Sequence, residues 1–411
     1  MTQSSIGARI GLLVVATSAI QLANGFFGTF IGLRVVLEGF DATMAGLVLS
    51  SYFAGFTAGA FFCERIIQRF GHIRSYAAFG GVAVAATSAM PLLVEPSAWI
   101  LLRASIGFGC AAIFVTTESW LNAKAAPRER GFVFSIYMLG TFTAIALGQL
   151  LIARADIETA SPFNVIIVLF AMAVALMSIT RAEQPEATPT DRLPFRLLVG
   201  TAPVAVAGAA LSGLISSAFY SLVPVWMQDE GIERASIGIF MLVAVLGGLA
   251  FQIPVGRLSD RFDRLIVLGV LSVSLSGVAV ALPRLPHSPT FVLPFAAVLG
   301  GFMSTLYPVC VANAHDRMPA DRVVAVSSWL ILASGCGSVM GPLIGMSLLR
   351  RVDIDGVFYL IAAAALLLAV VALARDLTSA APLRLARTFD LLPPQPTPIP
   401  HDPIGTANVR P

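Results

Sequence analysis

The sequence predicts an all-α membrane protein with twelve transmembrane helices in two pseudo-symmetric six-helix bundles. Three observations predict it. First, 57% of the 411 residues are apolar and only 12% are charged, against about 25% charged in an average soluble protein. Second, apolar runs of about 20 residues, the helical length that crosses a hydrocarbon core, recur along the chain. Third, the chain repeats itself at an offset of 192 residues. Glu38, Gly39, Gly46, Arg69, Phe70 and Arg130 recur without a gap as Glu230, Gly231, Gly238, Arg261, Phe262 and Arg322. A duplicated bundle with the same charged loop in each half is the plan of a transporter whose substrate lies between the halves.

The elements follow in order. Arg9 precedes an apolar run from Ile10 to Leu33. That run is too long for a signal core and many further runs follow, so it is the first span. The first-half spans are expected at 9–34, 43–65, 74–94, 98–121, 131–154 and 162–180. The second-half spans are expected at 198–227, 235–256, 264–282, 289–312, 322–349 and 356–374. Residues 1–180 thus form an N-terminal bundle and 198–375 a C-terminal bundle. Between them, RAEQPEATPTDRLPFR has linker composition and makes 181–197 a cytoplasmic linker. Residues 376–411, with LLPPQPTPIPHDP, are expected to form a disordered cytoplasmic tail.

Orientation follows from the basic residues. With the N-terminus inside, inner segments hold 19 of the 26 Lys and Arg, and outer ones hold Arg34, Arg154, Arg234, Arg284, Arg350 and Arg351. That asymmetry obeys the positive-inside rule with both termini cytoplasmic.

Several classes are excluded or disfavoured. The net charge of +3 comes with no basic patch interleaved with aromatics, so no nucleic acid is expected. Cys63, Cys110, Cys310 and Cys336 fall in or beside apolar runs without metal-ligand spacing, and read as small buried hydrophobes. His72, His287, His315 and His401 fall in expected loops or the tail, so no metal site is expected. No cofactor is implied. No nucleophile–base pair lies in the spans, so the chain does not read as an enzyme.

Two loops carry a motif. ERIIQRFGHIR surrounds Arg69 and GRLSDRFDR surrounds Arg261. An acid at the inner end of a helix, followed by arginines, can pair with a neighbouring helix end and latch one conformation. Alternatively, such a loop only anchors topology. These loops resemble the Gly-x-x-x-Asp-Arg-x-Gly-x-x-Arg/Lys signature of the major facilitator superfamily. Gly256, Asp260, Arg261 and Arg264 match in the second copy, with Asp263 in place of the later glycine. In the first copy Arg69, Gly71 and Arg74 match, while Glu64 replaces the glycine and Gln68 the acid. The latch is favoured for the second copy and the anchor for the first. The superfamily pattern Arg-x-x-x-Gly-x-Gly appears in span four as Arg103, Gly107 and Gly109. The Gly-Pro pattern of antiporters is missing from span five, where Gln149 follows Gly148. A similar string stands in span eleven as Gly337, Gly341, Pro342 and Gly345. The strings SSYFAG, RSY, GCAAIFVTTES and LGQLL are similar to the YcaD-type branch of bacterial inner-membrane proteins. The resemblance covers about residues 8–375 and implies an inner-membrane transporter.

Inside the spans, Arg103 and Glu118 stand out. A charge at mid-bilayer costs roughly 2.5–3.5 kcal/mol on insertion scales, so it usually faces a cavity or a partner. Fifteen residues place them about 22 Å apart along a helix, yet within about 60° of one face. Gly107, Cys110, Ala111 and Phe114 continue that stripe. Arg103 reads as an anion- or proton-coupling group, or as a pair with a polar group at the outer interface. Glu118 reads as a protonatable carboxyl, or as an inner-end partner of Arg74 or Arg130. At an offset of 192 the second half has Phe295 and Cys310 instead.

Uncharged polar residues form matching stripes. Gln21, Asn24 and Gly28 in span one correspond to Gly213, Ser216 and Tyr220 in span seven. Equivalent faces of repeated helices line transport paths, although polar side chains also bind packed helices together. Tyr52, Gln149, Gln252, Tyr307 and Trp329 are further path candidates. Gly55 with Gly59, Gly247 with Gly248, and Gly337 with Gly341 and Gly345 suit close helix contact.

The expected function is secondary active transport of a small solute by alternating access. No Gly-x-x-x-x-Gly-Lys-Ser/Thr loop is present, so a gradient must supply the energy. Family analogy and Glu118 make H+ the expected coupling ion. The expected partners are a small-molecule substrate and the lipid bilayer, and a monomer is expected. The alternative is a non-transporting sensor or assembly factor on the same fold.

Overall fold

A computed structural model describes residues 3–124, 130–179, 194–319 and 322–378. Most of the linker, most of the tail and the side chain of Arg130 lie outside the described residues. The described residues form α-helices and two short 3-10 turns, with no strand among them. The first half comprises α1 (Gln3–Leu37), α2 (Ala42–Phe70), α3 (His72–Ala89), α4 (Pro96–Lys124), α5 (Arg130–Leu150) and α6 (Ser161–Ser178). The second half comprises a short α7 (Phe195–Thr201), then α8 (Pro203–Asp229), α9 (Arg234–Arg261), α10 (Arg264–Ala281), α11 (Pro289–Arg317), α12 (Val323–Arg351) and α13 (Gly356–Thr378).

Eleven helices are long and apolar enough to cross a membrane. The remaining long one is α3, whose first turns carry His72, Arg74, Ser75 and Tyr76. It packs on α4 and α6 as α10 packs on α11 and α13. Its ends, His72 and Ala89, also stand 192 residues before the ends of α10, Arg264 and Ala281. It is therefore the twelfth span. The seventh span begins later than the expected 198: the backbone breaks at Ala202, and the long helix starts at Pro203. A proline there lacks only an amide that a helix start leaves unpaired anyway.

The repeat holds in three dimensions, with one correction to its register. Gly39 and Gly231, at φ 71° and 72°, turn the chain between α1 and α2 and between α8 and α9. A left-handed backbone there suits glycine alone. The α3–α4 connection, however, is one residue shorter than the α10–α11 connection, so α4 and α11 match at 193, from Pro96/Pro289 to Lys124/Arg317. Arg103 and Glu118 correspond to Ala296 and Val311, not to Phe295 and Cys310.

Glycine contacts obey the same shift. A side chain on Gly55 would strike Ala104, and one on Gly107 would strike Tyr52. In the second half Gly247 meets Ala297, and Gly300 meets Ala244. These pairs bring α2 against α4 and α9 against α11 at backbone distance, the close approach that small residues allow between membrane helices.

The two bundles meet through equivalent positions. Gly46 on α2 lies against Pro342 and Leu343 on α12, while Gly238 on α9 lies against Gln149 and Ile152. Gly32 on α1 lies against Ser221 on α8. Phe142, Ile145 and Ala146 of α5 pack with Val245 of α9. Arg351 donates to Thr43 Oγ1 at 3.1 Å, and Arg234 to the Ala155 carbonyl at 3.4 Å. Arg34 pairs with Glu38 and donates to the Ile157 carbonyl, while Arg350 pairs with Asp229 at 3.0 Å. The α1–α2, α5–α6, α8–α9 and α12–α13 connections are thus stitched together at one end of the molecule, which we call the closed end.

Candidate functional site

Behind the closed end lies a cavity of about 1520 Å³, open solvent included, with walls from both bundles. Eight sequence candidates line it: Asn24, Tyr52, Arg103, Gln149, Ser216, Tyr220, Gln252 and Tyr307. Gly28 and Gly213 lie in the same wall, so the matched faces of α1 and α8 both front the cavity.

Three candidates, Gln21, Glu118 and Trp329, lie elsewhere. Gln21 is turned into the bundle, 1% exposed, and accepts from Asn24 Nδ2 at 3.3 Å. It therefore supports a lining residue without being one. Glu118 is fully buried. Its Oε1 accepts from Tyr137 Oη at 3.1 Å, and its Oε2 has no hydrogen-bond partner. Nearby, the hydroxyls of Thr17 and Thr117 meet at 3.0 Å. Arg103 and Glu118 share a helical stripe, but the neighbours change along it. The Arg103 end fronts the cavity, and the Glu118 end is covered by α5. Arg74, one partner considered for Glu118, is exposed, and no ion pair joins the two among the described residues. Trp329 packs against Phe195, with ring centroids 4.9 Å apart and planes tilted by 42°, and is not a lining residue.

Among the described residues that line the cavity, Arg103 alone is charged. Its guanidinium lies 4.8 Å from the Phe27 ring and 4.7 Å from the Tyr52 ring. The residue is 4% exposed, and Nε has no hydrogen-bond partner. Ring faces attract a guanidinium and stabilise it by about 0.5–2 kcal/mol. They do not use its in-plane N–H donors. Beside it, Cys110 Sγ meets Asn24 Oδ1 at 3.6 Å, and Thr29 Oγ1 donates to Gln149 Oε1 at 2.5 Å.

Sequence reasoning missed a serine-rich wall. Ser212, Ser217, Ser221, Ser304, Ser334 and Ser338 all line the cavity. Their signal is the four-residue spacing of Ser212/Ser216, Ser217/Ser221 and Ser334/Ser338, which keeps each pair on one helix face.

The loop motif forms a junction within the second bundle. Arg264 Nε donates to Asp316 Oδ2 at 2.5 Å, Nη1 to Ser259 Oγ at 3.1 Å and Nη2 to Asp260 Oδ1 at 3.4 Å. The ends of α9, α10 and α11 are thereby joined. Arg261 lies over Phe262 at 5.9 Å, as Arg69 lies over Phe70 at 5.4 Å. Gly256 is buried in α9, and Gly71, at φ 82°, links α2 to α3. In the first bundle Gln68 donates to Glu64 at an exposed site. His72 holds the position equivalent to Arg264 and meets Ser119 Oγ at 3.0 Å. His72 and His315 are thus helix-end residues rather than loop residues, and His315 meets Ser327 Oγ at 3.1 Å. Cys63, Cys110 and Cys310 are buried and unbridged, whereas Cys336 is exposed.

Two repeated six-helix bundles around a shared central cavity define a multi-pass membrane transporter. A sequence profile described as Major Facilitator Superfamily matches residues 13–294 and 205–401, and the chain belongs to that superfamily. It is 31% identical over 355 residues to the MFS-type transporter YcaD of Escherichia fergusonii, covering 85% of this chain and 91% of that one. It is 30% identical over the same length to YcaD of Shigella flexneri, with the same coverage. Among solved structures, the nucleoside transporter NupG superposes with a TM-score of 0.71 at 14% identity, covering 90% of this chain and 99% of that one. A bacterial homologue of the human lysosomal transporter Spinster, solved inward-facing and unoccupied, superposes with a TM-score of 0.68 at 13% identity, covering 91% and 96%. At such identities these two likenesses concern the fold.

Proposed function

We propose that this chain is a secondary active transporter that carries a small solute across a bacterial inner membrane by alternating access, coupled to protons. The observation that carries this reading is the central cavity, walled by equivalent faces of both halves and shut at one end by equivalent contacts. A two-fold repeat allows the same halves to close at the other end by rocking about the fixed site. With both termini cytoplasmic, the closed end is the outer one and this structure is the inward-facing state. The Arg264 junction then sits at the inner face, where it keeps the ends of α9, α10 and α11 moving as one body.

Glu118 is the proton site in this reading. It is a carboxyl buried away from the cavity, with one hydrogen bond and one bare oxygen. Its protonation is coupled to the packing of α4 on α5, because any shift of Tyr137 changes what the carboxyl meets. The coupling is therefore allosteric, exerted through α4, which holds Glu118 near one end and Arg103 toward the other.

The test uses purified protein in vesicles and labelled solutes screened for uptake with and without a pH gradient. Glu118→Gln is expected to abolish accumulation driven by the pH gradient while sparing solute exchange at equal pH. Undiminished gradient-driven accumulation in that variant would remove Glu118 from the coupling step. Absence of any gradient-driven flux in the wild type across the screen would remove the transport reading.

A further inference from the structure

We propose that the cavity recognises an organic monoanion through Arg103. This deepens the transporter reading and rests on the cavity being the solute's path.

A guanidinium in a membrane interior needs a partner, and the usual partner is a carboxylate. None lines this cavity among the described residues. Glu118, the acid on the same helix, lies some four turns away and is hydrogen-bonded to Tyr137. Phe27 and Tyr52 cover the guanidinium at 4.8 and 4.7 Å. They fix its plane while leaving the donors at its edge, and Nε is unmatched. A planar fork held in this way, with its charge unpaired, is pre-organised for a carboxylate or a similar oxyanion.

The rest of the lining sets the class more narrowly. Every other polar group among the described lining residues is uncharged, including Asn24, Ser216, Gln252 and Ser334. A substrate amine would meet no acid, and a second anionic group would meet no second cation. Cations, zwitterions and dianions are therefore poorly matched. The matching solute has one acidic group, directed to the N-terminal bundle, and an uncharged body. Hydroxyl or amide groups on that body face the C-terminal serines, and apolar or aromatic parts face Phe56 and Tyr307.

The probes are matched acids and their neutral amides: benzoate with benzamide, 4-hydroxyphenylacetate with its amide, and N-acetylglycinate with its amide. Each is titrated against the purified full-length protein, with thermal unfolding as the readout, because binding to the native state raises stability. At least one acid is expected to bind the wild type about 10- to 100-fold more tightly than its amide, the range of a charge-assisted fork. Arg103→Gln should erase that difference, with acid binding falling to the level of the matching amide in the same variant. Arg103→Lys should restore only part of it, since an ammonium lacks the fork. The comparison within wild-type protein needs no variant to fold. Amides binding as well as their acids, acids binding Arg103→Gln as well as wild type, or no acid of the panel stabilising the wild type would each overturn the proposal. Acid preference without uptake in vesicles would instead sink the transport reading and leave the anion site standing. Gradient-driven uptake of neutral solutes without acid preference would do the reverse.

Discussion

The contrast between Arg103 and Glu118 shows how far a single residue can be read from its neighbours in sequence. Both are charged residues of one membrane helix and share a face. Helical geometry placed them on that face but could not say what covers it. At Arg103 the stripe fronts open space between Phe27 and Tyr52. At Glu118, α5 presents Tyr137. That hydrogen bond yields a prediction at this scale. Tyr137→Phe leaves both carboxyl oxygens of Glu118 bare in a buried site, and the loss should be about 1–3 kcal/mol. Thermal unfolding in detergent would show it as a lowered transition relative to wild type. A Tyr137→Phe protein as stable as wild type would mean that the bond contributes nothing. Gln21 carries a related lesson. Three residues from Asn24, it shares the helix face but meets Asn24 instead of the cavity. A three-residue step turns 60° away from alignment, enough to put one amide in the wall and the other behind it.

Where helices can approach closely was legible, because the glycines that permit it are visible in sequence. Their partners were not, since the 192-residue offset slips to 193 between α10 and α11. The structure pairs Gly107 with Tyr52 and Gly300 with Ala244. Gly107→Ala would force a methyl against the Tyr52 carbonyl and the Phe56 amide, and overpacking of this kind typically costs 1–3 kcal/mol. Gly300→Ala should cost a similar amount in the other bundle, whereas Gly81→Ala, with open space around it, should be tolerated. Melting curves of the three variants would decide it. If Gly107→Ala and Gly81→Ala melt alike, the contact between α2 and α4 is looser than described. At the opposite ends of the second-bundle helices, Asp316→Asn removes the 2.5 Å ion pair of Arg264 while its contacts to Ser259 and Asp260 remain. Slowed or biased conformational exchange is expected, read from the accessibility of single cysteines at either face. Asp260→Asn should have a smaller effect. Equal and unchanged accessibility in both variants would argue against the latch and for a plain anchor.

At the scale of the molecule, alternating access requires the closed end to open. Thr43 and Arg351 face each other there across the two bundles. With the exposed Cys336 replaced by serine, Thr43→Cys and Arg351→Cys joined by a short bifunctional thiol reagent should stop transport, and a cleavable reagent should restore it on reduction. Transport at the wild-type rate through a cross-linked pair would mean that this end does not gate. The two-bundle plan was legible because duplication leaves a linear trace: matched turns at Gly39 and Gly231, matched loops at Arg69 and Arg261. The serine wall was not, because serine is also a common packing residue in membranes, and composition does not separate a hydroxyl that lines space from one that fills it. The break at Ala202 has one mark in the sequence, Pro203, set within an otherwise apolar run.

The single charge on the cavity wall also concerns membrane voltage. Exchanging the open face moves the water-filled, field-free side from one flank of Arg103 to the other, so its charge samples a different share of the potential. A full crossing is worth about 2.3 kcal/mol per 100 mV. An empty carrier would therefore rest preferentially with its cavity toward the negative side, and a bound monoanion would cancel that bias. Occupancy would then decide whether the rocking step is electrical.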